Sequence, residues 1–153
     1  MPEFSVPTHL PAWIKDHVAL YLESEGKEGQ MWDSSFAGGP GPLATLLLAT
    51  TGRRTGDSRT VPLIYGEVDG NYIVVASRGG SKDNPDWYKN LAASADVSLR
   101  VATNVFDAVA RTATGEEREA LWQTMSEIFP SYNSYQERTQ RQIPVVVLEP
   151  VKN

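Results

Sequence analysis

The chain has 153 residues, 41% hydrophobic and 22% charged, with a net charge of −5 and no cysteine. That length supports one domain over 1–153 with a core of its own, read as an N-terminal helix and loop (1–42) followed by a core (43–150). The missing cysteines exclude disulfides, thiolate nucleophiles and cysteine-held zinc or iron–sulfur centres, and the acidic balance argues against nucleic acid as a partner.

Only His9 and His17 supply imidazoles, both near the start, so a histidine-based metal site is not expected. Met1 to Ser5 lacks the basic and apolar regions of a secretory signal. The longest apolar run, Leu43 to Ala49, is too short to span a bilayer. A cytoplasmic monomer is expected, at most peripheral at the inner membrane face.

Residues 8–25 read as an amphipathic helix, with Pro11 near its start and Gly26 ending it. Leu10, Trp13, Ile14, His17, Val18 and Tyr21 form its apolar stripe. Docking on a membrane through Trp13 is the alternative to packing on the protein itself. Asp16, Glu23 and Glu25 oppose it, because anionic lipid repels them. Gly26 to Pro42 is a Gly- and Pro-rich loop whose large apolar residues, Met31, Trp32 and Phe36, are expected to anchor it, with lining a pocket mouth as the alternative.

Six strands are expected at 43–51, 59–66, 71–77, 96–102, 104–113 and 143–149. Asp69-Gly70 marks a hairpin between the second and third. Short links favour antiparallel pairing, and six such strands with flanking helices suggest an α+β fold built on a small barrel. Thr114-Gly115-Glu116-Glu117 reads as a capping box opening a helix to Phe129, ended by Pro130. Residues 131–141 are polar apart from Tyr132 and Tyr135, which share one helical face.

The middle of the chain is where charge concentrates. Residues 1–50 carry two Lys/Arg against six Asp/Glu, whereas residues 51–100 carry seven against six. Arg53, Arg54, Arg59, Arg78 and Lys82 converge if strands 59–66 and 71–77 form a hairpin, and such a cluster repels itself unless an anion sits in it. Asn84, Pro85 and Asp86 suit the cap, first position and first turn of a helix whose N–H groups add donors. Gly52 to Gly56 reads equally well as a solvated turn.

Several blocks in order resemble the deazaflavin-dependent nitroreductase family, actinobacterial oxidoreductases that use reduced coenzyme F420 and include quinone reductases. They are Thr50-Thr51-Gly52-Arg53-Arg54-Thr55-Gly56, Arg59 to Tyr65, Val75 to Gly80, Asn84 to Leu91, and Ile143 to Val147. The resemblance implies a split β-barrel like the flavin-mononucleotide-binding barrels. It places Arg53, Arg54, Arg59 and Arg78 on the phosphate and glutamate tail of the cofactor, beside Gly79, and Ala76, Ser77, Trp87 and Asn90 on the ring. Tyr132 and Tyr135 match tyrosines that close over the substrate, and Phe129 stands where some members have another. The implied activity is hydride transfer to quinones or other flat acceptors, with Ser77 or Tyr135 donating a hydrogen bond to the acceptor oxygen. A carrier of the deazaflavin and a flavin-mononucleotide reductase are the competing readings. The polar tyrosine segment is expected to move as a lid.

Overall fold

The fold is that of a computed structural model describing residues 2–8 and 10–151, so His9 falls outside it. The most apolar run makes the central strand, β2 (Pro42–Thr51), in which Leu46 to Ala49 are fully buried. β2 pairs antiparallel with β1 (Met31–Asp33), with β3 (Ser58–Ile64) and with β6 (Asp96–Val101). From β6 the sheet continues through β7 (Asn104–Thr112), β8 (Val145–Pro150) and β5 (Asn71–Val75) to the short β4 (Gly66–Val68). Every pairing is antiparallel, and the sheet curls into a split barrel with four helices packed around it.

β5 and β8 are apolar on both faces because each serves two cores. Val74, Val146 and Leu148 point into the barrel with Leu46, Leu48 and Leu99. Ile73, Val75, Val145 and Val147 alternate to the other side, where α3 (Gly115–Ile128) and α4 (Ser131–Glu137) cover them with Leu121, Met125 and Phe129. Each such side chain contributes about 1.5–3 kcal/mol by leaving water. α1 (Ala12–Glu23) packs Val18 and Tyr21 against Leu47. The Tyr21 hydroxyl donates to the Thr45 carbonyl at 2.9 Å and accepts the Ala102 N–H at 2.8 Å, tying α1 to the sheet.

The structure departs from the sequence reading at the first helix, which starts at Ala12 and leaves Leu10 outside it, and in four further places. The described residues form eight strands rather than six, because residues 31–33 pair with β2 and the segment 59–66 divides into β3 and β4. β3 pairs with β2, and the hairpin at Asp69-Gly70, both at positive φ (53° and 80°), joins β4 to β5. Thr114 makes no side-chain cap bond, because Glu117 is drawn instead to Arg111 on β7. Asn84 likewise does not cap α2 (Asp86–Ala93), since its Oδ1 accepts from Arg141.

Candidate functional site

The turn 52–57 between β2 and β3 presents Arg53 and Arg54, and Arg59 stands at the start of β3. Asn90, only 4% exposed on α2, holds this turn to the helix. Its Oδ1 accepts from the Arg53 backbone N–H at 3.2 Å and from Arg53 Nη1 at 2.9 Å, while its Nδ2 donates to Thr50 Oγ1 at 3.3 Å. Asp86 meets Arg53 Nη2 at 3.4 Å. Among the described residues, Arg54, Arg59 and Arg78 have no carboxylate partner. A cavity of about 600 Å³ lies between these arginines. Ser5 to Thr8 and Leu10 also line it, and Glu3 N–H to Ser58 Oγ (2.9 Å) and Ser5 N–H to Thr60 Oγ1 (3.0 Å) tie this segment to β3.

A second cavity of about 490 Å³ opens beside it and shares Val61, Arg78, Pro85 and Trp87 with the first. The two form one cleft with a basic end and an aromatic end. Ser77, Gly79, Phe129, Tyr132 and Tyr135 line the aromatic chamber on one side. Trp13, Trp32 and Phe36 close the other as a mutually packed trio with ring centroids 5.2–6.1 Å apart. Trp32 and Phe36 therefore form a chamber wall rather than merely anchoring their loop, and Phe36 remains 73% exposed there.

The placement of the expected ring residues is uneven. Ser77 and Trp87 line the chamber, and the Ser77 hydroxyl makes no side-chain hydrogen bond among the described residues. Ala76 is fully buried and lines neither cavity; its N–H and carbonyl are taken by Pro144 and Arg141. Asn90 lines only the basic end.

The tyrosine segment is not a loosely held lid. Tyr132 is 5% exposed and belongs to the core beneath α3, with its ring edge-on to Phe129 at 5.0 Å. Burial pushes its phenol above the ordinary tyrosine range, so it stays neutral. Ser131 Oγ bonds the Ala37 carbonyl at 2.9 Å at one end of α4. At the other, Gln136 bonds both the Arg141 carbonyl (2.7 Å) and the Ile143 N–H (3.0 Å). Sequence periodicity hid these ties because they join residues close in space through side chains that look merely solvated. Tyr135, half-buried, is the ring α4 turns toward the chamber, with the Arg138 guanidinium 5.5 Å from its centroid.

Arg141 is the residue that sequence reasoning missed. Its guanidinium reaches the carbonyls of Ser77 (2.7 Å), Ser81 (2.9 Å) and Ala76 (3.2 Å) and Asn84 Oδ1 (2.8 Å). Nothing in the polar run 138–142 distinguishes it from Arg138.

The split barrel thus carries one cleft, a basic trough opening into an aromatic chamber, whose charge and shape suit a flat ring with an anionic tail. The chain belongs to the F420H(2)-dependent quinone reductase family, whose profile matches residues 13–150, and its cofactor is accordingly coenzyme F420. An F420H(2)-dependent quinone reductase of Mycobacterium tuberculosis H37Rv is 38% identical over 138 residues, 88% of each chain. A solved F420-H2 dependent reductase is 42% identical with a TM-score of 0.65, covering 69% of this chain and 93% of its own. A solved structure described as a domain-swapped dimer is 36% identical with a TM-score of 0.67, covering 90% of this chain and 97% of that one. No helix of the described residues is long and apolar enough to cross a membrane.

Proposed function

We propose that this protein uses F420H2 to reduce quinones and other flat conjugated acceptors. The observation that carries the reading is the single cleft, in which Arg78 and Trp87 line both the basic trough and the aromatic chamber. The donor set suits the cofactor: three arginines without carboxylate partners offer planar forks to phosphate and glutamate, and the chamber offers aromatic faces to a ring. When bound, F420H2 supplies the hydride, so that with one proton a quinone becomes a hydroquinone.

The chain's residues have distinct parts in this scheme. Arg54, Arg59 and Arg78 bind the anionic tail, and Arg53 joins them, oriented by Asn90. Gly79 and Ser77 bring the backbone turn close to the ring, with Trp87 as its wall. Tyr135 faces the acceptor from α4, and Tyr132 backs it as a fixed, uncharged support. As negative charge develops on the acceptor oxygen, the hydroxyl of Ser77 or Tyr135 donates a hydrogen bond to it, with solvent as the alternative source of the proton. Phe129 adds an apolar face without a donor, so nitro compounds should be poorer acceptors than quinones. Both cavities are lined by residues of one chain, which suits a monomer, and a cytoplasmic location is part of this reading; light scattering that gives a dimer mass would overturn the monomer.

Fluorescence titration with F420 and steady-state turnover of F420H2 with menadione test the proposal. One lost charge-assisted bond is worth about 1.5–3 kcal/mol. Arg54→Ala and Arg59→Ala should therefore each bind roughly 10- to 150-fold more weakly, with affinity falling as salt rises. Titration curves equal to wild type would remove the tail-binding role. Tight binding without turnover of any acceptor would leave a carrier, and a yellow protein purified with flavin would point to flavin mononucleotide instead.

A further inference from the structure

The turn that follows β5 is strained where the cleft needs it most. Arg78, a non-glycine residue, sits at φ 45°, and Gly79 and Gly80 follow at 63° and 82°. A left-handed non-glycine residue persists only where its surroundings hold it there. The turn's own backbone offers little: Gly80 N–H to the Ser77 carbonyl (2.9 Å) and Ser81 N–H to the Arg78 carbonyl (3.2 Å). No side chain caps it.

Arg141 supplies what is missing. Its guanidinium bonds Ala76 and Ser77 on the limb entering the turn, and Ser81 and Asn84 on the limb leaving it. All four acceptors are neutral oxygens, so this is a planar fork used as a staple rather than half of a salt bridge. Burial, opposed in part by Asp83 and reinforced by Arg78, lowers the Arg141 pKa without discharging it near neutrality. The backbone carbonyl of Arg141 is itself held by Gln136 of α4, the helix that carries Tyr135. One residue thus sets both the cofactor-facing turn and its spacing from the acceptor-facing helix.

We propose that Arg141 is a positioning residue of the cleft: it bonds neither cofactor nor acceptor, but fixes Ser77, Arg78 and Gly79 relative to Tyr135. This deepens the function proposed above and rests on it. The ammonium of a lysine keeps the charge but cannot span two limbs of a turn with a rigid fork.

The experiment compares wild type, Arg141→Lys, Arg141→Gln and Asn84→Ala by hydrogen exchange of the unliganded protein, F420 titration and menadione kinetics. In both Arg141 variants the Gly80 and Ser81 amides should exchange faster, on the order of tenfold, while the amides of β2 stay as protected as in wild type. F420 should bind on the order of tenfold more weakly, and kcat should fall roughly 10- to 100-fold with the acceptor KM little changed. Asn84→Ala removes one acceptor and should shift the same readouts in smaller degree, which keeps the test open if the Arg141 variants do not fold. Wild-type exchange at Gly80 and Ser81 in the variants that fold overturns the proposal, as do wild-type affinity and kcat in variants that only melt earlier. Full rescue by lysine overturns it too, because charge alone would then suffice. Wild-type protein that binds no F420 overturns the function assigned above, while the exchange data still decide what holds the turn.

Discussion

Gly79 and Gly80 give a paired test of how closely the cofactor turn packs on the tyrosine helix. Both have φ in the left-handed region, 63° and 82°. A Cβ at Gly79 meets nothing within 4 Å, whereas one at Gly80 would lie 2.6 Å from the Tyr135 carbonyl oxygen and 3.0 Å from its Cα. Alanine at either position costs about 1–2 kcal/mol for the left-handed backbone. A gain of ~0.4–1 kcal/mol from a less flexible unfolded chain offsets part of it in both. These terms cancel in the difference. What remains at Gly80 is the clash with backbone that cannot rotate away, about 1–3 kcal/mol for an overpacked site. At about 2–4 °C per kcal/mol for a chain of this size, Gly80→Ala should melt roughly 2–12 °C below Gly79→Ala. Urea unfolding of the two variants at one pH measures the gap directly. Equal midpoints with equal m-values would refute the close approach of α4 to the turn, and with it the shared frame of Tyr135 and Ser77.

Four other outcomes are expected. Tyr132→Ala should lose about 3–5 kcal/mol of stability as a core truncation. Tyr135→Ala should melt close to wild type but reduce menadione turnover about tenfold or more; unchanged turnover would remove it from the acceptor wall. Tyr21→Phe should destabilise by ~1–3 kcal/mol, because the Ala102 N–H and Thr45 carbonyl lose their shared partner, and chemical denaturation will report it. The bond from Arg111 holds the Glu117 carboxyl below its ordinary 4.5, so its stabilisation is full above that value and lost as pH falls through the lower folded one. The melting gap between wild type and Glu117→Gln should accordingly close in acid, and a gap constant from neutral pH to acid would refute the pairing.

Local pattern alone was enough for much of this protein. The apolar run 43–51, the alternation of Val97, Leu99 and Val101, and Asp69-Gly70 gave the main strands and one hairpin, because period and turn chemistry are local properties. The ordered blocks of arginine, glycine and aromatic residues gave the family and its cofactor. Partner choice was different. The segment 59–66 had a hairpin turn on either side: β3 follows the one at 52–57, closed by Gly52 N–H to the Asp57 carbonyl (2.7 Å), onto β2, and only β4 pairs with β5. Tyr132 and Tyr135 look alike in sequence, three apart on a polar helix, yet packing on Phe129 and Met125 sinks one into the core and leaves the other half-exposed at the chamber. Asn84 and Glu117 went to Arg141 and Arg111 rather than to the caps their positions suggested, Asn90 went to Arg53, and Arg141 reached back to the turn after β5. A long polar side chain takes whichever acceptor folding brings within 3 Å or so. Only the tertiary structure determines which acceptor that is.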